Sequence, residues 1–153
     1  KMKLYVSRHG EASFDAESDY SRPLTDRGIT QTRRLLEEHI EELKTIRSIW
    51  ASPLLRAQQT AKIYADVLAC EVQTQTFLTP DSSPASVLRQ LEKVDSDQLL
   101  LVSHQPLVGE LASFLLEGNL YSSHPFITSE LVVFECELMA PGMASIVADY
   151  MPT

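Results

Sequence analysis

The sequence predicts an α/β protein: a three-layer sandwich with a mostly parallel central sheet, an antiparallel edge hairpin at the C-terminus and no cap subdomain. Two observations predict it. Three short apolar runs, Leu4-Tyr5-Val6-Ser7, Ile49-Trp50-Ala51-Ser52 and Leu99-Leu100-Leu101-Val102-Ser103, each stop at a serine, and a short apolar run bounded by a breaker reads as a buried strand. Stretches with apolar residues at helical spacing lie between and after these runs, the alternation from which helices pack against a sheet.

The first run hands over to Arg8-His9-Gly10, so these residues fall at the carboxyl end of a strand, where open α/β sheets bind ligands. Glu11 to Ser21 is polar and rich in small or acidic residues, as suits a loop across the mouth of a site. Thr25 is placed to cap a helix in which Ile29, Thr32, Leu35, Leu36, Ile40 and Leu43 recur at helical spacing. Arg33, Glu37, Glu38, Glu41 and Glu42 form its solvated face. Ile46 to Ala51 is the second strand, and Ser52-Pro53 reads as a side-chain cap followed by proline at the first helical position. That helix buries Leu54, Ala57, Ala61, Tyr64, Ala65 and Leu68. Arg56 then projects on a different line near the N-terminus, where backbone N–H groups favour an anion.

Val72, Thr74 and Thr76 alternate with glutamines, which suits a short, poorly buried strand. Ser83-Pro84 caps a helix with apolar positions Val87, Leu88, Leu91 and Val94. Leu99 to Val102 is too uniformly apolar for a half-exposed strand and belongs in the middle of a parallel sheet. Gln105-Pro106 starts a helix that buries Leu107, Val108, Leu111, Phe114 and Leu115. In the tail, Phe134, Cys136 and Leu138 alternate with Glu135 and Glu137, Pro141-Gly142 turns, and Ile146 to Tyr150 returns as the second arm of the hairpin.

At 153 residues the chain reads as a single domain, residues 1–153, large enough to bury a real core. A formal charge of -8, from 21 acidic and 13 basic side chains, argues against nucleic acid and against an anionic membrane surface. Cys70 and Cys136 are far apart with no CxxC pairing, which suggests buried free thiols rather than a disulfide framework or a zinc site. No basic, apolar leader and no run of membrane-spanning length occurs, so the expected location is cytoplasmic.

If the three serine-terminated strands are parallel and adjacent, Arg8, His9, Arg56 and His104 converge on one point. Two arginines and two histidines without an acid among them make an anion site, and phosphate is favoured because Arg matches its oxygens bidentately. Adjacent arginines repel a cation, and neither histidine has a carboxylate or Cys companion in its motif, so no metal or other cofactor is implied. His39 and His124 sit among polar neighbours and are expected at the surface.

Arg8-His9-Gly10, Ser52-Pro53-x-x-Arg56-Ala57-x-x-Thr60 and Ser103-His104 resemble the motifs of the histidine phosphatase, or phosphoglycerate mutase-like, superfamily. Ser18-Asp19-x-x-Arg22-Pro23-Leu24-Thr25 and Ser103-His104-x-Pro106-Leu107-Val108-Gly109 are similar to its SixA-type phosphohistidine phosphatase branch. The resemblance runs from Leu4 to about Leu111. It implies that His9 attacks phosphorus and forms a covalent phosphohistidine, while Arg8, Arg56 and His104 hold the phosphoryl oxygens. Nearby guanidinium groups would keep the His9 ring neutral, and Gly10 would let the chain turn behind it and leave room for substrate. Arg22 either reaches the phosphate or pins the polar loop.

Mutases and many acid phosphatases of the superfamily place a carboxylate near the leaving group, whereas here the stretch after Phe77-Leu78-Thr79-Pro80 offers only Asp81. Glu11 follows the glycine but fits a loop role better. An alcohol leaves badly without a proton donor, and a histidine nitrogen needs less help. The expected activity is therefore that of a phosphohistidine phosphatase acting on a protein, a histidine phosphotransfer domain or similar phosphocarrier. The alternatives are a broad-specificity small-molecule phosphomonoesterase or mutase, and a non-catalytic phosphohistidine-binding module.

Overall fold

A computed structural model describes residues 1–153. The elements are β1 (Met2–Arg8), α1 (Asp26–Glu38), α2 (Ile40–Leu43), β2 (Ser48–Ala51), α3 (Leu55–Leu68), β3 (Val72–Thr74), a 3-10 turn (Thr76–Leu78), α4 (Pro84–Glu92), β4 (Leu99–Ser103), α5 (Leu107–Glu117), β5 (Leu131–Cys136) and β6 (Ala144–Tyr150). The strands form one sheet in the order β3-β2-β4-β1-β5-β6. The first four strands of that order run parallel, while β5 is antiparallel to both β1 and β6. No helix is long and apolar enough to cross a membrane.

The two-residue period of a strand divides the core into two layers. Leu4, Val6, Trp50, Leu99, Leu101, Val132 and Phe134 pack with Val87, Leu88 and Leu91 of α4 and Leu107, Val108, Leu111 and Leu115 of α5. Their neighbours Tyr5, Ile49, Ala51, Leu100, Val102, Leu131 and Val133 face the opposite way, onto Leu35 and Leu36 of α1 and Ala57, Ala61 and Tyr64 of α3. This is the three-layer sandwich. All of β4 is buried, as its uniform apolarity requires.

Register fixes where the strands end. Leu4 pairs with Leu99 and Arg8 with Ser103, while Ile49 pairs with Leu100 and Ala51 with Val102. The residues following β1, β2 and β4 are thus His9, Ser52 and His104, side by side at one edge of the molecule.

Several local expectations differ from the fold. Ser52 does not cap α3, which starts further on at Leu55 behind Leu54 with no side-chain cap; the Ser52 hydroxyl lies 2.7 Å from His104 and accepts from Leu54 N–H at 3.2 Å, ahead of the helix. Thr76 belongs to the 3-10 turn rather than to β3, and Val94 lies beyond α4 and is exposed. The hairpin begins earlier than the glutamate alternation indicates: Leu131-Val132-Val133 is already strand, and its pairing with β1 makes β5 interior and leaves only β6 at the edge. Leu138 is exposed outside it. Cys136 is buried but Cys70 is only half-buried, and both are free thiols. Thr25 and Ser83 cap α1 and α4 through their hydroxyls.

Gly28, near the start of α1, controls how closely the helix approaches the loop after β1. A Cβ there would collide with the carbonyl oxygen of Glu11 and stand 2.9 Å from its nitrogen. Backbone cannot yield as a flexible side chain can, so Gly28→Ala is expected to lower stability by about 1–3 kcal/mol. Urea denaturation reads the shift directly, and an unchanged midpoint would contradict this packing.

Candidate active site

The strand ends open into a cleft of about 480 Å³ bordered by Arg8, His9, Glu11, Asp19, Arg22, Arg56, His104 and Thr128, among others. The structure therefore brings Arg8, His9, Arg22, Arg56 and His104 to one place. Asp81 does not line this cleft; it accepts from the Thr79 hydroxyl at 2.8 Å. His39 stacks on Tyr150 at the far end of α1, with ring centroids 4.1 Å apart. His124 is half-buried in the segment before β5. No group of three or more His, Cys, Asp or Glu side chains is arranged to hold a metal ion.

His9 and His104 approach with ring centroids 5.0 Å apart. The His9 Nδ1 lies 2.7 Å from the Gly10 carbonyl, an acceptor only, so Nδ1 carries the proton. Its Nε2 is left with a lone pair toward which Arg56 Nε–H points at 3.3 Å. His104 Nε2 lies 2.7 Å from the Ser52 hydroxyl, while His104 Nδ1 and Arg8 Nε are buried without a protein partner. A buried, unpartnered donor is costly, so Arg8 Nε–H, and His104 Nδ1–H in the tautomer whose Nε2 accepts from Ser52, complement an acceptor-only ligand.

Burial is the first cause holding both rings uncharged. His9 is pushed down to about 4 by burial and then by Arg56, Arg8 and Arg22, against the Gly10 carbonyl. His104 is pushed down to about 3 by burial, then by His9, Arg56 and Arg8, against Asp19. The arginines act in the direction the sequence suggests, but they come second to desolvation.

The arginines are held in different ways. Arg8 Nη1 donates to the Phe126 carbonyl at 2.9 Å. Arg56, buried on the first turn of α3, donates to the Asp19 carbonyl at 2.8 Å and to its carboxylate at 3.3 Å. Arg22 pins the polar loop, donating to the carbonyls of Ser13 and Ala12 and lying 3.9 Å over the Phe14 ring. It also lines the cleft. The Leu55 N–H at the start of α3 is taken by the Tyr20 carbonyl at 2.9 Å, so that donor is not offered to an anion.

Gly10 has a different role from the one its neighbours suggest. A Cβ there would meet Gly28 O, Thr32 Oγ1 and Leu24 Cδ2 within 3.2 Å, so the residue is small to admit α1 rather than substrate. Its N–H donates to Thr60 Oγ1 at 3.0 Å, and the same hydroxyl donates to the Arg56 carbonyl one turn back. Thr60 thus ties α3 to the turn that carries His9.

Asp19 and Ser52 stand in the motifs that carry the resemblance, but the sequence assigned neither a role in this cleft, and Thr128, which lines it, carried no signal. Burial pushes the Asp19 carboxyl up, but bonds and charge from Arg56 and Arg22 outweigh that and leave it below the usual range. Glu11 is directed elsewhere, accepting from the Thr25 hydroxyl at 2.8 Å with Arg27 at 3.7 Å.

Comparison with known proteins shows the family and the fold of this chain. Residues 4–79 match the model of the histidine phosphatase superfamily (branch 1). The chain is 33% identical over 123 residues to phosphohistidine phosphatase SixA of Escherichia coli K12, covering 77% of this chain and 76% of that protein. It is 31% identical over 144 residues to a SixA homolog of Haemophilus influenzae, covering 86% and 88%. A solved structure of the protein histidine phosphatase SixA complexed with tungstate superposes with a TM-score of 0.88 at 29% identity, over 99% of this chain and 97% of that one.

The two depressed histidines make stability depend on acid. Unfolding returns both rings toward 6.5, so between 6.5 and about 4 the unfolded chain binds more protons than the folded one. Stability is complete above that window and is lost as pH falls through it, by up to about 1.4 kcal/mol per pH unit for each ring. The urea midpoint should therefore drop on going from about pH 7 to about pH 4, and His104→Asn should flatten the slope. Parallel slopes for the two proteins would refute the assignment.

Proposed function

Because this chain belongs to the histidine phosphatase superfamily, as a phosphatase of its SixA-type branch, we propose that it removes the phosphoryl group from a phosphohistidine carried on another protein. The carrier is a histidine phosphotransfer domain or a similar phosphocarrier, and the reaction passes through a covalent phosphohistidine on His9. His9 attacks phosphorus with Nε2, the nitrogen left unprotonated by the bond from Nδ1 to Gly10. The substrate imidazole carries a proton on its other ring nitrogen from its own equilibrium with water, so as its phosphorus–nitrogen bond breaks and the new one forms it departs as neutral imidazole. Water then attacks phospho-His9, releasing inorganic phosphate and restoring the ring.

Arg8, Arg56 and His104 hold the equatorial oxygens, where phosphoryl transfer asks a protein mainly for placement and positive charge. Arg8 Nε and His104 Nδ1, buried and otherwise unpartnered, supply donors for this. Arg22 serves substrate binding from the loop.

The observation that carries the choice of substrate is the state of the two carboxylates at the cleft. Asp19 is ion-paired to Arg56 and Arg22 and so held ionised, while Glu11 is turned to Thr25 and Arg27. Neither is poised to protonate an alkoxide, so an ester gains little and a phosphoramidate leaves unaided. The rim supports a macromolecular substrate: Phe14 is 85% and Tyr20 56% exposed on the loop beside the cleft, apolar surface suited to a partner. The named relatives are phosphohistidine phosphatases, and tungstate, which the SixA structure holds, is an oxyanion like phosphate.

Trapping with radiolabelled phosphohistidine carrier should give a protein label stable to base and lost in acid, absent from His9→Ala. Arg8→Ala and Arg56→Ala should each lower kcat/KM on the carrier by about a hundredfold or more. Faster turnover of 3-phosphoglycerate than of the carrier would favour the small-molecule phosphomonoesterase instead, and carrier binding without phosphate release would indicate a non-catalytic module.

A further inference from the structure

We propose that Glu130, a buried carboxyl behind the cleft, is a positioning residue that orients the Arg8 guanidinium through the turn Phe126–Glu130. The inference rests on the reading that Arg8 holds the phosphoryl group and assigns what holds Arg8.

Arg8 is gripped twice by this turn. Its backbone N–H donates to the Glu130 carbonyl at 3.1 Å, and its Nη1 donates to the Phe126 carbonyl at 2.9 Å. The next residue is gripped as well, since the His9 carbonyl accepts from Ser129 N–H at 3.0 Å. The turn that places these groups is itself unfavourable, because Ser129 has φ of 68°, a left-handed conformation that a residue other than glycine adopts only when its surroundings enforce it.

The Thr32 hydroxyl, 3.0 Å from that of Ser129, and the Glu130 side chain supply that enforcement. Its Oε1 accepts from Ile127 N–H at 3.0 Å, while Glu130 N–H donates to the Ile127 carbonyl at 3.2 Å. The Phe126 C=O and the Ile127 N–H are the two ends of one planar peptide group. Holding the N–H with the Glu130 carboxyl therefore aims the C=O at Arg8. Without that acceptor the peptide group can rotate, and the guanidinium loses the only protein hydrogen bond recorded for it, its Nε having none.

Glu130 is 5% exposed. The groups around it are Asp149 of β6 and His124 of the preceding segment, with Ala112 from α5 across the same small cavity. Burial first, and then the Asp149 carboxylate, raise the Glu130 carboxyl against the pull of Ile127 N–H. Glu130→Gln keeps an oxygen that can accept from Ile127 N–H, whereas Glu130→Ala and Glu130→Leu remove it.

The test is a double-mutant cycle with Arg8, read as kcat/KM on the phosphoramidate ion and as inhibition by tungstate. Glu130→Ala should lower kcat/KM about tenfold and weaken tungstate inhibition in step, and Glu130→Gln should recover most of the loss. In an Arg8→Ala background the same Glu130→Ala change should cost less than about twofold, because its effect passes through the missing guanidinium. If Glu130→Ala does not fold, Glu130→Leu, which keeps the buried volume, takes its place in the cycle. Equal losses in both backgrounds, or no loss from removing the acceptor, would overturn the proposal. Should Arg8→Ala itself change neither rate nor inhibition, the phosphoryl-binding reading fails first; should Arg8→Ala be impaired while Glu130→Ala is not, only this inference fails.

Discussion

Positive charge crowded at the ends of three adjacent parallel strands is the constraint on which the rest of this structure depends. Pairing of Arg8 with Ser103 and of Ala51 with Val102 leaves His9, Ser52 and His104 at one level, and Arg56 follows from the first turn of α3. Burial with neighbouring guanidinium groups makes further protonation unfavourable, so both imidazoles stay neutral. Even Arg8 is held below its ordinary range, by burial and then by Arg56. Such a cluster is relieved by an incoming anion, and the neutrality of His9, set first by burial and reinforced by the crowding, is what a nucleophile needs.

Much of the architecture was legible because the apolar runs were clean. A strand buried on both faces has no polar alternation, and Leu99 to Val102 declared its central place for that reason. Helix starts were readable at Thr25 and Ser83, whose hydroxyl oxygens accept from the N–H groups of Gly28 and Ser86. At Ser52 the same signal misled, because a serine at a strand end can be claimed by a tertiary partner, here His104. The hairpin was misjudged for a related reason: Leu131-Val132-Val133 lacks the alternation that marks a half-exposed strand, since β5 lies between β1 and β6. The two arginines and two histidines at the strand ends could be named from pattern alone. The roles of what supports them could not, because Asp19, Thr60 and Glu130 act through contacts spanning between 37 and 122 residues of chain: Asp19 and Thr60 stand in the motifs but bond Arg56 and Gly10, and Glu130, outside any motif, bonds Arg8.

Arg56 is buried and Arg8 half-buried, and the two are anchored in opposite ways that bear on how the cleft exchanges ligands. Arg8 is held by a neutral carbonyl of a turn packed against the sheet, so its charge is not cancelled within the protein and its position does not depend on what occupies the cleft. Arg56 is held in part by the Asp19 carboxylate, whose side chain is 62% exposed, on a polar loop. An ion pair with one partner so open to solvent is worth little, about 0–1 kcal/mol. A phosphoryl group bearing more charge can therefore take the place of Asp19 at Arg56 at small cost, and the carboxylate has water to turn to. When phosphate leaves, Asp19 is still tethered beside Arg56 and Arg22 by its backbone carbonyl, ready to compete with the product for the same guanidinium groups. On the proposed function, a fixed cation would define where phosphorus sits, and a second cation with an exchangeable partner would keep the product from being held as tightly as the transition state, the balance that turnover requires.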